Sequence, residues 1–178
     1  MLNLGFQQFI IYQSPNHGIQ TDAAEPRGLC PAFCTKTMQI EIRQYEVSDE
    51  IQVVQLWTEC GLVVPWNNPH NDIQRKLDMQ PELFLVGCLL KKIVATVMAG
   101  YDGHRGWINY LAVHPKHQHI GIGRRMMDEA EIRLIAAGCP KINLQVRSTN
   151  TNVIEFYKKI GFKADDVISL GKLLEPDD

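Results

Sequence analysis

The chain has 178 residues, enough for one domain with a sizeable core and too few for two ordinary ones. Apolar residues make up 45% and charged residues 21%, the balance of a soluble globular protein, and a net charge of −2 gives no attraction to nucleic acid or an anionic membrane. No apolar run approaches the roughly 18 residues a membrane-spanning helix needs.

Five scattered cysteines, an odd number, read as reduced thiols of a cytoplasmic protein. Cys30 and Cys34 have no second pair and no histidine at a zinc spacing, so no metal is expected. Residues 1–37 hold Pro15, Asn16, Gly18, Pro26, Gly28 and Pro31 and only one short apolar stretch, at 9–12. They read as an extension, poorly ordered or an artefact of start-site choice with Met38 as initiator, and residues 38–178 read as one domain. No Lys or Arg precedes Arg27, so a secretory signal is not expected.

Residues 40–45 (IEIRQY) alternate apolar and polar, the period of a half-buried strand. Ser48 offers a helix N-cap with Asp49 and Glu50 in the first turn, and Ile51, Val53, Val54 and Trp57 give that helix an apolar face ending at Gly61. The run from Pro65 through Trp66, Asn67 and Asn68 to Pro69 breaks the chain before a second short helix at 72–79. Residues 83–86 and 93–98 read as neighbouring strands joined at Lys91 and Lys92. Asp102-Gly103 is a hairpin signal leading into a strand over 107–113. A central helix then carries Ile122, Met126, Ala130 and Leu134 at i, i+4 spacing beside Met127, a stripe that docks it on the sheet, and Gly138 stops it. A strand at 141–147, a helix at 150–160 closed by Gly161-Phe162, and a last strand at 167–174 complete the pattern. Hairpins first and helix–strand alternation later predict an α/β fold on a sheet of mixed direction.

The organising stretch is 107–137: a strand ending at His114-Pro115, a polar turn, Gly121-Ile122-Gly123, then a helix. Glycines let backbone approach a ligand closely, and the free N–H groups of a first helical turn bind anions. Arg124-Arg125 stand where a Walker A loop needs Lys-Ser/Thr, and Met126 stands where a dinucleotide fingerprint needs a small residue, so neither phosphate loop fits.

Gln118-x-x-Gly121-x-Gly123 resembles the coenzyme A loop of the GCN5-related N-acetyltransferases (GNAT), and the resemblance covers nearly all of residues 40–175. The stretches PWNNPHNDIQRK, AGYDGHRG and GCPKI are similar to those of small bacterial members. The second signature is Asn150, then Phe156-Tyr157, then Gly161-Phe162. The resemblance implies the GNAT fold, a mixed and mostly antiparallel sheet flanked by about four helices. It implies acetyl-CoA as co-substrate and direct acetyl transfer to a primary amine in a ternary complex, by a monomer or homodimer. By the same resemblance Leu111, Ala112, Val113, Gln118, His119, Ile120, Gly121, Ile122, Gly123, Arg124 and Asn150 contact the coenzyme, and an amide near Ala112 or Val113 holds the oxyanion.

Tyr157 is expected to give a proton to the departing thiolate, as a phenol within hydrogen-bond reach can; the other reading is that it only packs. Lys116, His117, His119, Arg124 and Arg125 either neutralise coenzyme phosphates or form a solvated turn. Trp66, Asn67, Asp102, His104 and Asn109 are expected at the acceptor site, where Trp66 serves either as a contact or as a core plug. A lysine amine, with pKa about 10.4, must lose a proton before attack. Relatives that modify protein N-termini carry a glutamate where Gln145 stands, and an amide takes no proton. Asp102, His104, His114 and ordered water remain as bases. A non-catalytic acyl-CoA-binding module is the alternative function that Gln145 supports.

Overall fold

The computed structural model describes residues 40–174. The expectations for residues 1–37, with Cys30 and Cys34, lie outside the described residues. Five strands form one sheet in sequential order: β1 (Glu41–Gln44), β2 (Phe84–Leu89), β3 (Lys92–Tyr101), β4 (Gly106–Val113) and β5 (Ile142–Asn143). The first three pairings are antiparallel and the β4–β5 pairing is parallel. Four helices flank it: α1 (Glu50–Glu59), α2 (Pro69–Met79), α3 (Ile122–Ala136) and α4 (Thr151–Lys159). This is the mixed, mostly antiparallel α/β architecture expected.

Helices cover both faces, which is why β2 is buried over its whole length and its sequence runs apolar without alternation. One core joins the sheet to α3 and α4. There Ile122, Met126, Met127, Ala130 and Leu134 are all buried, as the i, i+4 stripe requires. The second core joins the opposite face to α1 and α2 through Val53, Leu56, Trp57 and Ile73. The β2–β3 connection is tighter than the lysine pair suggested. Leu90 and Lys91 both take positive φ, 48° and 66°, the geometry of a primed two-residue turn matched to strand twist.

Four expectations need correction. Ser48 does not cap α1; it lies in a 3₁₀ turn over Val47–Asp49 that is closed by a capping box between Glu46 and Asp49. Ile51 is exposed, because the buried stripe of α1 runs through Val53, Leu56 and Trp57 at i, i+3, i+4. The strand expected at 141–147 shrinks to Ile142–Asn143, paired only with Gly106 and Trp107. Residues 167–174 form no strand, and Val167, Ile168, Leu170, Leu173 and Leu174 are exposed. With 144–147 out of the ladder, no edge in register remains for that tail. A Lys141–Asp165 ion pair at 2.5 Å and a hydrogen bond from Gln145 Nε2 to Ser169 Oγ at 2.5 Å tether it instead.

A bulge in β4 opens the sheet. Thr96 faces Ala112 and Met98 faces Asn109, so Val97 alone opposes both Tyr110 and Leu111. Tyr110 takes φ 48°, costly for a residue with a side chain. Its carbonyl, removed from the ladder, accepts from the buried Thr96 hydroxyl at 2.9 Å, and that same hydroxyl oxygen accepts from Trp57 Nε1 at 2.9 Å. Thr96→Val keeps the shape and strands two buried polar groups. At about 1–3 kcal/mol for each, unfolding in urea should show a loss of about 2–6 kcal/mol.

Asp49 supplies a pH-dependent contribution. Burial alone would raise its carboxyl, but two Arg43 hydrogen bonds at 2.7 and 2.8 Å and the Glu46 amide at 2.9 Å outweigh burial and hold it below the usual range. The folded state therefore binds fewer protons here than the unfolded one. The stability is present above the unfolded aspartate value, near 3.9, and is lost as pH falls through the lower folded value. Urea midpoints at neutral pH and near pH 3 should differ less in Asp49→Asn than in the parent.

Candidate active site

Between the N-terminus of α3 and one face of α4 lies a cleft of about 320 Å³, lined by Val113, Gln118, His119, Gly121, Gly123, Arg124, Asn152, Val153, Glu155, Phe156 and Lys159. The sequence builds its floor by an interrupted helix start. Gly121 is the N-cap of α3 with φ 86°, and it offers no side chain to the free amides of the first turn. The first helical bond runs from the Arg125 amide to the Gly121 carbonyl at 3.2 Å, so the amides of Ile122, Gly123 and Arg124 have no acceptor within the helix. With the helix dipole behind them, these free amides present the geometry that favours an anion. A Cβ on Gly123 would stand 3.4 Å from the Phe156 ring and 3.6 Å from a Val113 methyl, so glycine there keeps the cleft open.

The cleft continues along β4. The His114 amide donates to Val94 on β3 at 2.8 Å, and successive strand residues face opposite edges. Ala112, paired with Thr96, therefore turns its amide to β3. Val113 and, by the same alternation, Leu111 turn theirs to the edge left open beyond Asn143. Of the two amides expected to hold an oxyanion, only that of Val113 faces the open edge.

Other expected residues divide by place. Val113, Gln118, His119, Gly121, Gly123 and Arg124 meet in the cleft. Gln118 also clamps the loop, Nε2 donating to the Val113 carbonyl at 2.9 Å. Leu111, Ala112 and Ile122 have buried side chains and offer backbone only, while Ile120 points outward, 67% exposed. Asn150 is the N-cap of α4, its Oδ1 accepting from the Val153 amide at 3.4 Å, and its neighbour Asn152 lines the cleft. Arg125 is committed to the Ile40 carbonyl at 3.0 Å. His114 bridges Glu59 at 3.0 Å through Nε2 and accepts the Lys116 amide at Nδ1, which gives it a structural post rather than a free base.

Tyr157 is buried, edge-on to Phe156 and Phe162 at 5.1 and 5.4 Å between centroids. Its hydroxyl has no hydrogen-bond partner among the described residues. Burial pushes the phenol above the ordinary tyrosine range, so it stays protonated through neutral pH.

The acceptor-side residues are scattered. Asp102 and His104 occupy the β3–β4 turn, where Asp102 Oδ1 accepts from the amides of His104 and Arg105 at 2.7 Å. The length of β4, roughly 25 Å, separates them from the cleft. Asn109 is exposed and, opposite Met98, shares the α1–α2 face of the sheet. Trp66 is 50% exposed and plugs no core. Asn67 is half-buried and hydrogen-bonded. The sequence reading missed the α4 contribution to the cleft. Asn152, Glu155, Phe156 and Lys159 follow the i, i+3, i+4, i+7 spacing of one helix face, a signal present in the chain.

Among the described residues no helix is long and apolar enough to cross a membrane, and no group of three or more metal-ligating side chains assembles. Comparisons with known proteins agree with this geometry. The family model described as the acetyltransferase (GNAT) family matches residues 44–162. An acetyltransferase of Yersinia enterocolitica is 47% identical over 135 residues, 76% of this chain and 96% of the relative; one of Sodalis glossinidius is 46% identical over 139 residues, 78% and 98%. Among solved structures, an aminoglycoside N-acetyltransferase in complex with CoA superposes with a TM-score of 0.65 at 11% identity over 80% of this chain and 99% of the other. The PaiA N-acetyltransferase of Thermoplasma acidophilum, in complex with coenzyme A, superposes at 0.58 with 22% identity, covering 74% and 94%. Those likenesses show the fold, and the family match over most of the described residues shows more: this chain belongs to the GNAT acetyltransferase family.

Proposed function

We propose that the protein is a cytoplasmic N-acetyltransferase that passes an acetyl group from acetyl-CoA directly to a primary amine in a ternary complex. The observation that carries this reading is the continuity of the cleft: an uncapped helix N-terminus at Gly121 leads without interruption to the open edge of β4 at Val113. In this reading the amides of Ile122, Gly123 and Arg124 hold the pyrophosphate, with Arg124 and Lys159 adding positive charge against Glu155 and His119 offering a ring nitrogen. Acetyl-CoA supplies an activated thioester. The open-edge amides of Leu111 and Val113 face the oxyanion that forms when the amine attacks, and Tyr157 gives the leaving sulfur its proton. Free thiols at Cys60, Cys88 and Cys139 support the cytoplasmic assignment.

One observation favours a second reading. Gln145, at the position where a carboxylate would serve as base, is an amide bonded to Ser169. A module that binds acyl-CoA without turnover would need no base there. Calorimetric titration with acetyl-CoA followed by thiol release over an amine panel separates the two: binding with release supports the transferase, and binding without release supports the module.

A further inference from the structure

Asp72, in the first turn of α2, gathers three donors. Its Oδ2 accepts from Asn67 Nδ2 at 2.6 Å and from the Tyr110 hydroxyl, and its Oδ1 accepts from Arg75 at 3.1 Å. Asn67 Nδ2 also lies 2.8 Å from the Tyr110 oxygen, closing a three-membered ring of hydrogen bonds. Tyr110 is the bulge residue of β4. Its ring stacks on Trp57 at 4.0 Å between centroids and Thr96 holds its carbonyl, so backbone, ring and hydroxyl are all fixed. The cluster lies on the α1–α2 face, next to exposed Asn109, at the strand edge that the bulge opens. The coenzyme cleft lies between the N-terminus of α3 and one face of α4, helices that pack on the opposite face. Two reactants can therefore reach the Tyr110–Val113 edge from opposite sides of the sheet. A phenol that donates to a carboxylate can take a proton at its oxygen while passing its own on.

Resting on the function proposed above, we propose that Tyr110 contacts the acceptor amine and, with Asp72 behind it and Asn67 holding both, receives the amine proton. The ammonium gives one proton to Tyr110 Oη as the Tyr110 hydroxyl proton moves to Asp72 Oδ2. The neutral nitrogen attacks the thioester carbonyl, the carbon–sulfur bond breaks, and the sulfur keeps the electron pair and takes a proton from Tyr157; the nitrogen's second proton is lost as the amide forms and, through solvent, restores the Tyr157 hydroxyl. Asp72 returns its proton to solvent. Tyr110 is the catalytic residue of the pair, and Asp72 and Asn67 position it. Arg75 is the charged neighbour in contact with the cluster. His70 on the same helix is paired with Glu50 of α1 at 2.5 Å, and Lys76 donates to the Ala99 carbonyl of β3 at 2.5 Å.

The experiment uses the full chain and three amines: a tripeptide with a free α-amine, Nα-acetyl-lysine methylamide and spermidine. Thiol release is followed at pH 7 and near pH 10 in the parent, Asp72→Asn and Tyr110→Phe, with acetyl-CoA affinity by calorimetry. We expect kcat/KM to fall about 100-fold at pH 7 in both variants and to recover to within a few-fold near pH 10, where neutral amine is abundant. Acetyl-CoA affinity should be unchanged, and the double variant no worse than either single one. Tyr110→Phe keeps the ring on Trp57, so it carries the test if Asp72→Asn misfolds. A loss equal at both pH values, or one that follows the melting temperature, assigns the cluster to loop anchoring and overturns the inference. A parent that binds acetyl-CoA but is silent with all three amines overturns the transferase reading and this inference with it. A parent that turns over while both variants match it overturns this inference alone.

Discussion

Replacing Gly123 with valine is expected to remove acetyl-CoA binding and leave the fold intact. A Cβ at this position makes ordinary contact with Phe156 and Val113, so the backbone need not move. The two γ-methyls project into the cleft, however, and shield the amides of Gly123 and Arg124. Hydrogen bonds from amides to a charged phosphate contribute about 1.5–3 kcal/mol each, so losing two weakens binding by about 3 kcal/mol or more, a factor of at least ~100. The melting temperature should stay within a few degrees, because Ile122, Met126, Met127, Ala130 and Leu134 still root α3. Calorimetry showing parental affinity in Gly123→Val would sink the anion-cradle reading.

Tyr157→Phe is expected to lower kcat by about 10²–10⁴-fold while acetyl-CoA affinity and stability hold. The stability half of that expectation comes from the structure. The hydroxyl has no partner among the described residues, and the ring keeps both edge-on contacts, so its removal breaks no bond and opens no cavity. The sign with pH follows from burial: the phenol stays protonated, and so able to donate, until well above the ordinary tyrosine range. A variant with unchanged turnover would make solvent the source of the thiolate's proton.

What the sequence disclosed follows from how local each signal is. The central helix was legible because five buried side chains repeat at helical spacing, and the turn into it because Gly121 and Gly123 sit at a strand-to-helix junction. Tyr110 was not legible. Its φ of 48° and its place opposite a shared Val97 depend on register with β3, which no window of sequence around it contains. Asp72 was read only as part of a short helix, since the Asn67 and Tyr110 that tie it to the sheet lie 5 and 38 residues away. The tail at 167–174 misled because alternating apolar residues promise a strand only where a ladder partner exists, and the two-residue β5 supplies none. Asp102-Gly103 was read correctly as a turn, but a turn signal does not say which end of the sheet it occupies.

The rooting of the two helices has a mechanical consequence. α3 enters the core through five buried side chains, whereas α4 buries only Val153 and Tyr157 and packs the half-buried Phe156 against it. The cleft therefore has a stiff wall and a compliant one. Amide exchange should be slowest along α3 and markedly faster along α4, where opening breaks few apolar contacts. A bound guest is therefore expected to shift α4 rather than α3, with Phe156 and Tyr157 on it. The ordering of α4 should register as added protection of its amides, while those of α3, already near their ceiling, stay as they were.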